Sequence, residues 1–334
     1  MAGTVVITGA NGSLGHAFVQ HFLSSYPKHT LIGTVRDASE DDPNINKLRR
    51  LIAKYPDAKV HIEQLDLASL ASVRAFATLV SSQVTSGAVP RISAVVCNAF
   101  AWYLHGVELT PDGLEATFQI SHLSHYLLVL RLLGSMDAQA GRIVMLGSDS
   151  HYPGRPHPLS KLVARVPADI EHLVRPEPDN PAEVFDRGFQ RYGTAKLANV
   201  AFAYDLDKRL QADPDLARIT VTVMDPRGLV ESRAQSKQKL AMRVIFSILA
   251  MLMPLLRHLT SALRTNSDAG RDLVALSMDS EFQGKRGYFL GQKADSPAKE
   301  AKDQEIQKRL WDSCWRWAGL SEEETVLQNA APKE

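Results

Sequence analysis

The sequence predicts an α/β fold, a single doubly wound parallel sheet with helices on both faces. Apolar, β-rich runs alternate with helix-period segments over most of the 334 residues, and the first run passes through three glycines into the first helix. In chain order, strands are expected at Val5–Thr8, Leu31–Val35, Val60–Leu65, Ile92–Cys97, Arg142–Gly147, Ile219–Met224 and Gly287–Leu290. Helices fill the gaps near 14–25, 45–54, 69–83, 112–133, 192–211, 266–278 and 299–317. Ser69 can cap the third of these, and Thr110 followed by Pro111 reads as a helix start with a capping hydroxyl and an N1 proline.

Two stretches break the alternation. Residues 152–190 carry seven prolines, at 153, 156, 158, 167, 176, 178 and 181. Proline lacks an N–H and clashes with the preceding turn, so this insertion cannot form one long helix. It reads as a wall or lid of the substrate site, with a solvent-exposed excursion as the alternative. Residues 229–263 contain the apolar run Val244–Leu256, bracketed by Arg243 and Arg257 and interrupted by Pro254. A bilayer-spanning helix needs roughly 20 apolar residues. The run is shorter, and reads as a core or lid helix or as a peripheral membrane contact. The chain is read as one domain, 1–334, closing in a C-terminal helix and tail over 296–334.

Lys and Arg number 38 against 37 Asp and Glu, a net charge of +1 that offers no general field for nucleic acid. A small molecule is the expected partner. Cys97 and Cys314 are far apart in sequence and suggest a reducing compartment without a disulfide framework. Met1 leads straight into an apolar strand, with no basic n-region or small-residue cleavage site. The expected location is the cytoplasm.

The stretch TGANGSLG, residues 8–15, is a strand-to-helix turn with glycines at 9, 12 and 15. Without a Cβ in the way, its backbone N–H groups and the helix N-terminus can face a pyrophosphate. A plain structural turn has the same composition. Arg36 ends the second strand, where an arginine accepts the 2′-phosphate of NADP; Asp37 follows it and keeps NAD(H) as the alternative. In YGTAKLAN, Tyr192 and Lys196 stand four apart and share one helical face. A lysine ammonium beside a phenol lowers its pKa, which suits a proton donor and acceptor. Ser148 closes the fifth strand, at the sheet end where parallel sheets present ligand-binding groups.

The order TGANGSLG, Arg36, LDLAS, VVCNA, Ser148 and Tyr192-x-x-x-Lys196 resembles the classical short-chain dehydrogenases/reductases, from about residue 4 to 290. The stretches LDLASLASVRAFA, GLEATFQISHLSHYLLVLRLL, GRIVMLGSDSH and AKLAN look closest to retinol-dehydrogenase-like and fungal biosynthetic members. The resemblance implies a Rossmann-type domain that uses NADP(H) or NAD(H), commonly as a homo-oligomer. It makes Tyr192 the catalytic acid/base. Lys196 would hold the nicotinamide ribose and lower the Tyr192 pKa, and Ser148 would polarise the substrate carbonyl. Cofactor contacts would come from Gly9, Asn11, Gly12, Ser13, Leu14, Gly15, Arg36, Asp66, Leu67, Asn98, Ala99, Pro226, Gly228, Val230 and Ser232, besides Tyr192 and Lys196.

Four positions depart from the family pattern. Ser13 stands where the middle glycine falls, Phe100 follows Asn98-Ala99 in place of glycine, Ser121 replaces the helix asparagine of the proton relay, and Arg227 separates Pro226 from Gly228. His122 and His125 share a helix but gain no third ligand at a convincing spacing, so no metal is expected. His151 could touch substrate or cap a strand end. Trp311 and Trp315 share a helical face suited to packing, an oligomer contact or closure of the substrate pocket.

The leading expectation is an NADP(H)-dependent oxidoreductase. It interconverts a ketone and a secondary alcohol on a lipophilic small molecule, in secondary-metabolite biosynthesis. A non-redox isomerase, dehydratase or cyclase on the same fold, and a dinucleotide-binding sensor without chemistry, are the alternatives.

Overall fold

A computed structural model describes residues 2–39, 41–155, 157, 159–233, 240–256 and 263–332. Pro156, Pro158 and the parts 234–239 and 257–262 of the expected lid lie outside the described residues. The elements in chain order are β1 (Thr4–Ile7), α1 (Ser13–Ser25), β2 (Thr30–Val35), α2 (Pro43–Ile52), β3 (Lys59–Gln64), α3 (Leu70–Thr85) and β4 (Ile92–Cys97). Next come α4 (Ala116–Phe118), a π-helical turn (Gln119–Leu123), α5 (Ser124–Leu132), β5 (Arg142–Leu146), α6 (Val184–Ala212) and β6 (Thr220–Asp225). The chain closes with β7 (Gly228–Leu229), α7 (Leu240–Leu256), β8 (Leu263–Arg264), α8 (Asn266–Met278), β9 (Gly287–Leu290), β10 (Lys293–Asp295) and α9 (Gln304–Ala318).

Among the described residues the main sheet has eight strands in the order β10-β9-β6-β5-β4-β1-β2-β3. All neighbours are parallel except β10, which pairs antiparallel to β9. The order reverses between β1 and β4. That crevice, outside the carboxyl ends of the strands, is where open α/β sheets bind ligands. One apolar layer packs α3, α5, α6 and α9 on one face, and a second packs α1, α2 and α8 on the other. This covering on both faces explains why β1, β2, β5 and β6 are buried along their whole lengths.

Ser69 caps α3 as expected, accepting from Ser72 N at 3.2 Å. Thr110–Pro111 does not open a helix. Gly113 sits at φ +73° and its N–H closes a turn on Thr110 O, so the chain cannot continue helically. Helical structure begins at Ala116, capped by Glu115, whose Oε2 accepts from Phe118 N at 2.7 Å. The insertion also ends earlier than the motif suggests. No proline lies between Pro181 and Tyr192, and α6 reaches back to Val184, eight residues before Tyr192.

Between 159 and 183 the segment is hydrogen-bonded to the body at several points. Glu115 N donates to Val174 O, Gln190 Nε2 to Val163 O, and Arg165 N to Thr194 Oγ1. Helix α9 lies across α5 and α6. Trp311 is buried against Tyr126 and Phe202, and its indole N–H donates to Ala330 O at 2.7 Å. Trp317 instead donates to the Glu171 carboxylate of the insertion. Cys97 and Cys314 are buried free thiols, and no helix among the described residues is long and apolar enough to cross a membrane.

Candidate active site

The glycine-rich turn is built as a cradle. Gly9 holds φ +68°, in the left-handed region, and a Cβ on Gly15 would stand 2.3 Å from Gly9 O. α1 begins with no side-chain cap on Gly12 and no acidic residue in its first turn, leaving its partial positive end open to an anion. Thr8 anchors the neighbouring loop. Its hydroxyl accepts from the N–H groups of Asn98 and Ala99 and lies 2.9 Å from His125 Nε2. Asn98 spends its amide on Thr8 O and Gly9 O, so it ties β4 to the cradle. Arg36 is exposed at the end of β2. Asp66 accepts from Ala68 N, whereas the Leu67 side chain turns into the core.

At the carboxyl end of β5, the Ser148 hydroxyl accepts from Ser150 Oγ at 3.0 Å, donates to Asp149 at 3.2 Å and hydrogen-bonds the Tyr192 phenol. Lys196, buried one turn along α6, donates to Leu146 O at 3.0 Å and lies 5.8 Å from the centre of the Tyr192 ring. The fold therefore brings Ser148, Tyr192 and Lys196 together. It does not depress the phenol as the motif implies. Burial pushes the Tyr192 pKa well up against the opposing Ser148 hydrogen bond, with Asp149 and Asp225 adding to the rise, while the lysine nitrogen is turned to a backbone carbonyl. Burial lowers Lys196 to about 8, while Asp225 opposes the fall.

The four departures find physical roles. Ser13 opens α1, and its hydroxyl accepts from Arg233 N at 3.1 Å. Ser121 lies on the π-helical turn and clamps the loop after β4: its hydroxyl donates to Ala101 O at 3.0 Å and accepts from Ala101 N at 3.2 Å. The Ser121 carbonyl accepts from Asn199 Nδ2 at 3.0 Å. Phe100 puts an exposed ring 5.6 Å from Tyr192 and 5.3 Å from Lys196 Nζ. Arg227 adopts φ +63°, a left-handed backbone rare for residues with a Cβ, and its N–H donates to Asp225 at 2.7 Å. Pro226 and Gly228 flank it, with Val230 buried and Ser232 half-buried just beyond.

The histidines are internal struts. His122 bonds Asn199 Oδ1 through Nδ1 and the Cys314 thiol through Nε2, and burial drops its pKa to about 4. His125 falls to about 3 and His151 to about 4, both through burial, so all three rings are neutral at pH 7. His151 caps the strand end: Nδ1 donates to Ser148 O and Nε2 accepts from Ala298 N. Two features escape sequence reasoning. Trp102 and Phe189 complete an aromatic cluster around Tyr192, with Trp102 5.1 Å away and Phe189 6.0 Å away, and His157 of the insertion packs on Phe189 at 4.7 Å. Asp225 is a buried carboxylate with a pKa near 6. A charged residue ending the apolar strand TVTVMD was its signal.

Sheet order, glycine cradle and the Ser148, Tyr192, Lys196 group together define an NAD(P)-linked oxidoreductase acting on CH–OH and C=O groups. The chain belongs to the short-chain dehydrogenase/reductase family. The short chain dehydrogenase model matches residues 3–157 and the AcuH dehydrogenase domain model residues 230–327. The short-chain dehydrogenase iccH of Talaromyces variabilis is 32% identical, covering 98% of both chains. Mouse retinol dehydrogenase 14 is 27% identical over 92% of this chain and 84% of its own. Among solved structures, the angucycline C-6 ketoreductase LanV with bound NADP superposes with a TM-score of 0.58 at 17% identity, covering 87% of this chain and 95% of that one.

Proposed function

We propose that this enzyme reduces a ketone on a lipophilic, ring-bearing small molecule to a secondary alcohol with NADPH, as a step in secondary-metabolite biosynthesis. The observation that carries the reading is the aromatic cluster of Phe100, Trp102 and Phe189 standing directly against Tyr192. Flat apolar rings flanking a proton donor suit a flat apolar substrate with one polar group. The insertion contributes to this wall through His157, and α7 serves as the lid. The likeness to a fungal short-chain dehydrogenase and to an angucycline ketoreductase supports the biosynthetic setting. Exposed Arg36 supports NADPH over NADH.

NADPH, held by the glycine turn at Gly9–Gly15 and by Arg36, would supply the hydride for the carbonyl carbon. The Ser148 hydroxyl and the Tyr192 phenol hold the carbonyl oxygen and polarise it. Because burial keeps the phenol protonated, Tyr192 enters the reaction as the acid and gives its proton to that oxygen. Lys196, one turn along α6 with its Nζ donating to Leu146 O, would hold the nicotinamide ribose.

The test is NADPH oxidation by the purified protein with a panel of polycyclic ketones. Wild type turns over, and Tyr192→Phe loses about 10²- to 10⁴-fold in kcat/KM with unchanged NADPH affinity. Wild type that binds NADPH yet reduces no carbonyl would favour the non-redox isomerase, dehydratase or cyclase. An active Tyr192→Phe variant would remove the assignment of the acid.

A further inference from the structure

Each ketone reduction takes one proton from the Tyr192 phenol, and the phenolate must regain it before the next turnover. Towards the core, the polar groups around Tyr192 are already paired. Lys196 Nζ donates to Leu146 O, Ser121 O accepts from Asn199 Nδ2, and His122 Nδ1 is bonded to Asn199 Oδ1, with all four side-chain-bearing residues Lys196, Ser121, Asn199 and His122 buried. Towards solvent, a connected chain leads out. Ser148 hydrogen-bonds the phenol, and its hydroxyl donates to Asp149 Oδ1 at 3.2 Å. Asp149 has 63% of its side chain exposed. The insertion holds that carboxylate in place. His157 Nδ1 accepts from Leu159 N at 3.1 Å, which leaves the ring hydrogen on Nε2, 3.5 Å from the same Oδ1. Partial burial would raise the Asp149 pKa, but His157 and the Ser148 and Ser150 hydrogen bonds outweigh it and hold the group below its ordinary value. A proton that reaches Asp149 is therefore handed on rather than kept.

We propose that Asp149 is the positioning residue through which Tyr192 regains its proton from solvent, by way of Ser148. This rests on the ketone-reduction reading above. The return path balances without any change of oxidation state. Once the phenol O–H has broken and the alcohol O–H has formed, the phenolate takes the Ser148 hydroxyl hydrogen. In the same movement Ser148 Oγ takes a proton that Asp149 has received from solvent hydronium at its exposed carboxylate. His157 holds Asp149 and carries no proton itself, because the Leu159 N–H occupies its second nitrogen.

The experiment is stopped-flow NADPH oxidation by the full chain, with the fused-ring ketone β-tetralone and the ketone panel above. Asp149→Asn keeps an oxygen for Ser148 and His157 but cannot carry a proton. Its first turnover should stay within about twofold of wild type, whereas kcat should fall about 10-fold or more and show a larger solvent deuterium isotope effect. Formate should restore kcat in Asp149→Ala. The proposal is overturned if kcat of Asp149→Asn stays within about twofold of wild type, or if formate restores nothing. It is equally overturned if the first turnover slows as much as kcat, which would leave Asp149 as a brace for Ser148 alone. Wild type that reduces no ketone would sink the ketone-reduction reading and the relay with it. Wild type that reduces ketones, with Asp149→Asn unaffected, sinks the relay alone.

Discussion

Asp225 ends β6 with 1% of its surface exposed, and both oxygens are engaged: one accepts from Arg227 N at 2.7 Å and the other from Tyr288 OH at 2.8 Å. Burial, and then the nearby Asp149, raises its pKa from 3.8 to about 6 against the opposing pull of those two donors. Below about pH 4 the group is protonated in folded and unfolded chains alike and has no effect on stability. Between pH 4 and 6 the unfolded chain ionises while the folded one holds its proton, so stability falls. Above pH 6 both are ionised and the penalty is constant. A difference of about 2 pKa units corresponds to about 3 kcal/mol. Asparagine cannot ionise and keeps a carbonyl for Arg227 N, while the Tyr288 oxygen can accept from its amide. Asp225→Asn should therefore gain about 3 kcal/mol on wild type between pH 4 and pH 7, read from urea midpoints across that range. Since Asp225 also holds the Lys196 pKa up, the alkaline limb of kcat/KM should move below about pH 8 in the variant. A stability difference that is flat with pH, or that opens only above pH 7, would refute the assignment of a buried, raised carboxyl.

Arg227→Gly removes a Cβ from a left-handed backbone and should raise stability by about 1 kcal/mol in chemical denaturation. A loss would mean that the Arg227 side chain contributes more than its backbone strain costs. Trp311→Ala should destabilise by about 3–5 kcal/mol, because the indole fills the space between α9, α5 and α6 and satisfies Ala330 O. A shift under about 1 kcal/mol would show that α9 is only loosely docked. In α7, Val244, Ile245, Ile248, Met251 and Leu252 are exposed on one arc, in a stretch where residues 232–267 hold six Lys or Arg and no acid. Ile248→Asp combined with Met251→Asp should abolish cosedimentation with anionic vesicles if this face meets a membrane surface. Wild type that stays in the supernatant would leave α7 as a lid.

The Ser148, Tyr192, Lys196 group and the glycine turn were legible because their signals are local. Tyr192 and Lys196 share a helix face by spacing alone, Ser148 follows a buried strand, and glycines at 9 and 15 report a turn that no Cβ fits. The misreadings were non-local. Thr110–Pro111 has the composition of a helix start, but the segment's partners across the chain, Val174 for Glu115 N and Leu70 N for Asp112, decide that the helix waits until Ala116. The sequence leaves His151 facing either substrate or the strand end, and Ala298, 147 positions away, supplies its second partner.

The sequence by itself determined the order of strands and helices, the glycine turn after β1 and the shared helical face of Tyr192 and Lys196, since each depends on neighbours within a few residues. Tertiary structure decided the electrostatics. Burial rather than the spacing from Lys196 raises the Tyr192 phenol, and the lysine nitrogen is drawn to Leu146 O, 50 positions away. Likewise Arg233 reaches Asn11 across 222 positions, and Phe100, Trp102 and Phe189 meet Tyr192 only once the sheet has closed. Desolvation and Coulomb interactions depend on distance in space, a quantity that spacing along the chain does not specify.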